Sequence, residues 1–154
     1  MPAFFRLYFL QHFTTFYNIL RQFLECNIYN IYKMLIKNIL LSLLILVSID
    51  SIYLFFIKTL FEKHISLIQN SPLNINMHGA ILCYIFLVLG LNYFILSTNK
   101  GVIDAFILGL VIYAVFESTN LALFKKWPYY FVLVDTLWGG ILFALTTYII
   151  RKIK

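Results

Sequence analysis

Four apolar runs, each long enough to cross a lipid bilayer, sit in a chain of 154 residues and constrain its fold more than any motif it carries. A helix rises about 1.5 Å per residue, so about 20 apolar residues cover the ~30 Å hydrocarbon core of a membrane. The first run, 39–57, is interrupted only by Ser42, Ser48, Asp50, Ser51 and Tyr53. Its fourteen Leu, Ile, Val and Phe residues contribute roughly 4 to 8 kcal/mol toward insertion, against about 2.5 to 3.5 kcal/mol for a central Asp. The run therefore inserts despite its acid. Three more follow at 79–98, 102–124 and 129–150. With 62% of the chain apolar and 12% charged, against about a quarter charged in ordinary soluble domains, no water-soluble core could hide the remainder. The expected fold is an all-α polytopic membrane protein, four transmembrane helices in one bundle, occupying residues 34–154.

Turn chemistry divides the runs. The more polar stretch from Lys58 to Met77 reads as a first loop, with Asn70-Ser71-Pro72 as its helix stop. Asn99-Lys100-Gly101 gives a very short second connection. Lys125-Lys126-Trp127-Pro128 makes the third and fourth spans an antiparallel hairpin. Trp127, Tyr129 and Tyr130 read there as an interfacial aromatic belt.

Ahead of the spans, Gln11, Thr14, Thr15, Asn18, Arg21, Gln22 and Glu25 recur every three or four residues and oppose Leu10, Phe13, Phe16, Tyr17, Leu20, Phe23 and Leu24. This is an amphipathic helix suited to the plane of the membrane interface, and residues 1–33 are read as an extension of that kind. Met34 is a second candidate start. The first apolar run begins too far into the chain to be the core of a cleavable signal.

The formal charge of +6 does not imply a nucleic-acid surface, because the basic residues flank apolar runs instead of forming a stripe. Counted by side, Arg6, Arg21, Lys33, Lys37, Lys100, Arg151, Lys152 and Lys154 outnumber Lys58, Lys63, Lys125 and Lys126. Both termini are therefore expected in the cytoplasm. Cys26 and Cys83 are too few and too isolated for a disulfide framework.

Chemistry, if present, must come from acids inside the spans. Asp50, Glu117 and Asp135 lie six or seven residues from the non-cytoplasmic ends of their runs, about 9 to 11 Å deep, so all three can share one layer. Glu117 and Asn120 fall on one helix face, with Asp135, Thr136 and Trp138 offered nearby by the fourth span. Such a cluster is either a cation, proton or headgroup site, or a set of protonated, hydrogen-bonded acids that glue helices together. Asp50, Glu117, Asn120, Asp135 and Trp138 are the ligand-binding candidates; Thr119, His78 and Tyr113 stand behind them. Asp104 reads as an exposed helix-start acid. Ala105 with Gly109, and Gly140 with Ala144, form small-xxx-small stripes that permit close helix approach. His12, His64 and His78 form no paired metal-ligand spacing, and neither a phosphate-binding loop nor a nucleophile elbow occurs. Nothing supports an enzyme, a cofactor or a metal.

The run Glu117-Ser118-Thr119-Asn120-Leu121-Ala122, then Trp127-Pro128, then Asp135-Thr136-Leu137-Trp138-Gly139 resembles the predicted membrane proteins grouped as domain of unknown function 2177. Asp50 with Tyr53 and Leu54 is similar to that family's acid and aromatic in the first span, and Glu117 stands where the family usually carries Asp. The resemblance covers roughly residues 34–148 and implies a four-helix membrane fold with no established activity. Two functional classes remain open. One is a carrier-like module whose buried carboxylates bind a cation, a proton or a small polar headgroup. The other is a structural or partner-binding subunit, alone or as a homo-oligomer, with internally paired acids. In either case the bilayer is the constant partner and nucleic acid is not expected.

Overall fold

The structure, a computed structural model, describes the backbone of residues 3–153 and the side chains of residues 36–153. The chain divides into two compact units, Met1–Asn38 and Ile39–Lys154. Helix α1 is assigned Ala3–Gln69, and the amphipathic face read between Phe9 and Glu25 lies outside the described residues.

The second unit is a bundle of four helices, each long and apolar enough to cross a membrane: Ile36–Gln69 of α1, Met77–Leu96, Val102–Leu123 and Tyr129–Ile153. No strand occurs among the described residues. Outward-facing side chains such as Phe55 and Phe56 are more than three-quarters exposed. In water that surface would be ruinous; in lipid it costs nothing, because the solvent is as apolar as the side chain.

One boundary differs from the sequence reading. The first helix does not end near Ile57 with a loop from Lys58; it continues to Gln69. At 1.5 Å per residue, 34 residues reach about 50 Å, well beyond the hydrocarbon core. Hydropathy marks where the membrane ends, whereas a helix ends where its backbone is stopped. Lys58 and Glu62 pair one turn apart, 3.6 Å, and polar residues spaced this way are at home in a helix emerging into water. The stop is Asn70, which adopts left-handed geometry (φ 52°) ahead of Ser71 and Pro72.

Asn76 then caps α2 (Met77–Leu91), its side-chain oxygen accepting from the N–H groups of His78 and Gly79 at 3.0 and 3.3 Å. The helix widens into a π turn, Asn92–Leu96, and ends at a second left-handed asparagine, Asn99 (φ 56°). Asp104 accepts the Gly101 N–H at 2.7 Å and so caps α3 (Val102–Leu123), as its exposed position in the sequence suggested. The guanidinium of Arg151 donates to the Lys100 carbonyl, tying this short connection to the end of α4 (Tyr129–Ile153). Pro128 precedes α4, a position that needs no backbone donor.

Helices α3 and α4 pack against each other along much of their length. A methyl group built on Gly109 would overlap the carbonyl of Gly139, and Gly140 leaves room for the Phe106 ring. The close approach thus runs through Gly109 and Gly139, one residue away from the Gly140–Ala144 stripe read from the sequence. The apolar core, Leu46, Leu87, Val88, Leu91, Leu142 and Phe143, fills the half of the bundle nearer the α2–α3 connection. The acids lie beyond it, toward the α1–α2 and α3–α4 connections.

Candidate carboxylate site

Asp50, Glu117 and Asp135 are all buried, Glu117 completely. A buried ionised carboxylate is costly unless partnered, so the donors around each one define what it can do.

Asp50 accepts from both sides: the Tyr84 hydroxyl of α2 donates to one oxygen at 2.7 Å, and the Trp138 indole N–H of α4 donates to the other at 2.8 Å. Asp135 accepts from the Tyr53 hydroxyl of α1. Tyr53 and Trp138 stack face to face, ring centroids 4.2 Å apart and 11° from parallel. The arrangement is reciprocal. On α1 an aromatic follows its Asp by three residues, Asp50 and Tyr53; on α4 the same spacing recurs, Asp135 and Trp138. Positions i and i+3 share a helix face. When the two helices meet antiparallel, each carboxylate therefore meets the other helix's aromatic donor, and the two rings stack between them. Long aromatic side chains bridge these helices.

Glu117 belongs to a separate neighbourhood. Trp127, in the α3–α4 connection, donates its indole N–H to Oε2 at 2.7 Å, while Oε1 is buried with no hydrogen-bond partner. Trp127 is thus not a belt residue at the interface: it is buried, and what draws it inward is a carboxylate ten residues earlier. Trp138, read beside Glu117, serves Asp50 instead. Asn120 lies half-buried one turn after Glu117, as its spacing implied.

Of the second group of candidates, Thr119 and His78 make no hydrogen bond to these acids, whereas Tyr113 lies close to the Asp50 and Asp135 pair. Thr119 is exposed, and its hydroxyl returns to the Val115 carbonyl at 2.7 Å. His78 is exposed in the first turn of α2. Tyr113 is half-buried, its ring seated on Gly139 beside Trp138.

Tyr53, Tyr84 and Trp127 carry the hydrogen bonds, and sequence reasoning did not single them out as site residues. The repeated Asp-x-x-aromatic spacing could have flagged Tyr53, and Trp127 stood in the motif that carries the family resemblance without a role attached; Tyr84 had no local signal. A further buried pair lies nearer the α2–α3 connection, where Asn92 donates to Ser42 Oγ at 2.6 Å and to the Val88 carbonyl at 2.8 Å.

No basic side chain reaches any of the three acids among the described residues, where the ion pair present is Lys58–Glu62 at the helix surface. No three acidic, histidine or cysteine side chains converge as a metal cage would need, again among the described residues.

The family model described as "Predicted membrane protein (DUF2177)" matches residues 35–150. No curated protein and no solved structure matches the chain. The match spans all four crossing helices and every carboxylate of the site, and the chain therefore belongs to this family of predicted membrane proteins.

Proposed function

We propose that this protein is a carrier-like membrane module that takes up a proton, a small cation or a polar headgroup at Asp50 and Asp135. One observation carries the reading: these buried acids are surrounded by neutral Tyr and Trp donors, with no Lys or Arg among the described residues to balance their charge. An ion in the bilayer interior needs a partner. Here the balancing charge must be brought in from outside, and a bound proton is its simplest form. The lack of a three-ligand cluster among the described residues favours the proton over a multivalent metal.

The chain's two tryptophans make this testable, because Trp127 donates to Glu117 and Trp138 to Asp50. In a Trp127→Phe background, Trp138 emission reports the protonation of its own acceptor. The expected result is a pH-dependent emission in liposomes that Asp50→Asn abolishes while helix content is kept. Emission that is flat with pH, and indifferent to Asp50→Asn, overturns the reading.

A second reading, a structural or partner-binding subunit, is favoured by the fact that both oxygens of Asp50 are already satisfied within the bundle. It predicts that Asn is tolerated without any pH response being lost. Asp50→Ala alone would be damaging, by about 1 to 3 kcal/mol for each orphaned donor.

A further inference from the structure

Beside Glu117, between the far ends of α1 and α3, lies a cleft of about 290 Å³. Phe61 and Ile65 of α1 and Phe116 of α3 give it apolar walls, and the amides of Gln69 and Asn120 with the ring of Trp127 form its polar edge. Gln69 spends its amide N–H on the Ser71 and Pro72 carbonyls, 3.0 and 2.9 Å, so its oxygen is left as an acceptor. No Lys, Arg or His lines the cleft among the described residues. Beside it stands Glu117, fully buried, with Trp127 donating to one of its oxygens while Oε1 has no hydrogen-bond partner. Trp127 is both a wall of the cleft and the group covering Glu117, so one movement of its indole joins the two.

We infer that this cleft binds a neutral amphiphile with a hydroxyl head, of the lipid-alcohol class. The apolar body lies against Phe61, Ile65 and Phe116, and the hydroxyl donates to Glu117 Oε1 while accepting from the Asn120 amide. Three features select this chemistry. An anionic head meets no cation and faces a carboxyl group. A neutral hydroxyl costs far less to desolvate than an ammonium or a phosphate. A water molecule's share of liquid volume is about 30 Å³, so the cleft has room for about ten non-hydrogen atoms, the size of a medium-chain alcohol. The inference extends the proposed headgroup binding to Glu117 and rests on that reading only there.

The test uses the full chain in liposomes with octanol carrying a photoreactive diazirine. Saturable labelling is expected within the segments 61–69 and 116–127. Unlabelled octanol and a monoacylglycerol should compete; octane and octyl sulfate should not. Asn120→Leu should weaken labelling at least tenfold, and Ile65→Trp, which fills the cleft, should remove it with helix content unchanged. Labelling spread evenly over the lipid-facing helices, or equal competition by octane or octyl sulfate, overturns the inference. Lost labelling with an intact Trp138 pH response removes the cleft alone; saturable labelling with a flat Trp138 response removes the Asp50 reading alone.

Discussion

The α3–α4 and α1–α2 pairs hold together in opposite ways. Between α3 and α4 the backbones touch: Gly109 sits against the Gly139 carbonyl, and the Phe143 Cβ would lie only 2.9 Å from a methyl group placed on Gly109. Between α1 and α2 polar side chains reach across, Asn92 to Ser42 at 2.6 Å and Tyr84 to Asp50 at 2.7 Å. An apolar groove of about 620 Å³ stays open beside them, lined by Leu40, Leu44, Val47, Ile81 and Ile85 among others. Lipid tails are as apolar as leucine, so burial against a neighbouring helix gains little over burial in lipid. What remains is either close packing through small residues or hydrogen bonding in a medium without water. Each half of the bundle uses one of these.

The sharpest way to break this contrast is Gly109→Ala. The added methyl meets backbone, which cannot swing aside as a side chain can, and a loss of about 2 to 3 kcal/mol is expected in equilibrium unfolding in mixed detergent. If the variant is as stable as the parent, the α3–α4 contact is not what holds the bundle. Asn92→Leu tests the other pair. It removes the bond to Ser42 and should cost about 1 to 2 kcal/mol in the same assay, with the added α1–α2 mobility visible as faster amide exchange in α2. A cost equal to that of Gly109→Ala would erase the distinction. Tyr84→Phe should have the smallest effect, about 0.6 kcal/mol, because Asp50 keeps its Trp138 donor. Its use is to sharpen: a larger cost would mean that the two donors at Asp50 act as one network.

The same contrast explains which parts of the site could be read in advance. Acids in apolar runs stand out because each opposes insertion by kilocalories, so Asp50, Glu117 and Asp135 were visible at once. Asn70 and Asn99 were visible as turn residues for a backbone reason, since asparagine tolerates left-handed geometry better than most side chains. The length of α1 was misjudged because Lys58, Glu62 and Lys63 look like loop composition, although their spacing allows a helix that has left the membrane.

Length, apolarity and turn residues by themselves determined four helices long and apolar enough to cross a membrane, because that is a property of single segments in a solvent that forbids unpaired backbone. Tertiary structure alone decided the partners. Trp138 could have served Glu117 by proximity in the chain, yet it bonds to Asp50 from another helix, and Trp127 turns inward because Glu117 waits there. Hydrogen bonds between helices depend on how each helix is rotated about its axis. For α3 and α4 that rotation goes with the meeting of Gly109 and Gly139, residues thirty positions apart: the small-residue stripe marked Gly109, but no local pattern encodes its pairing with Gly139.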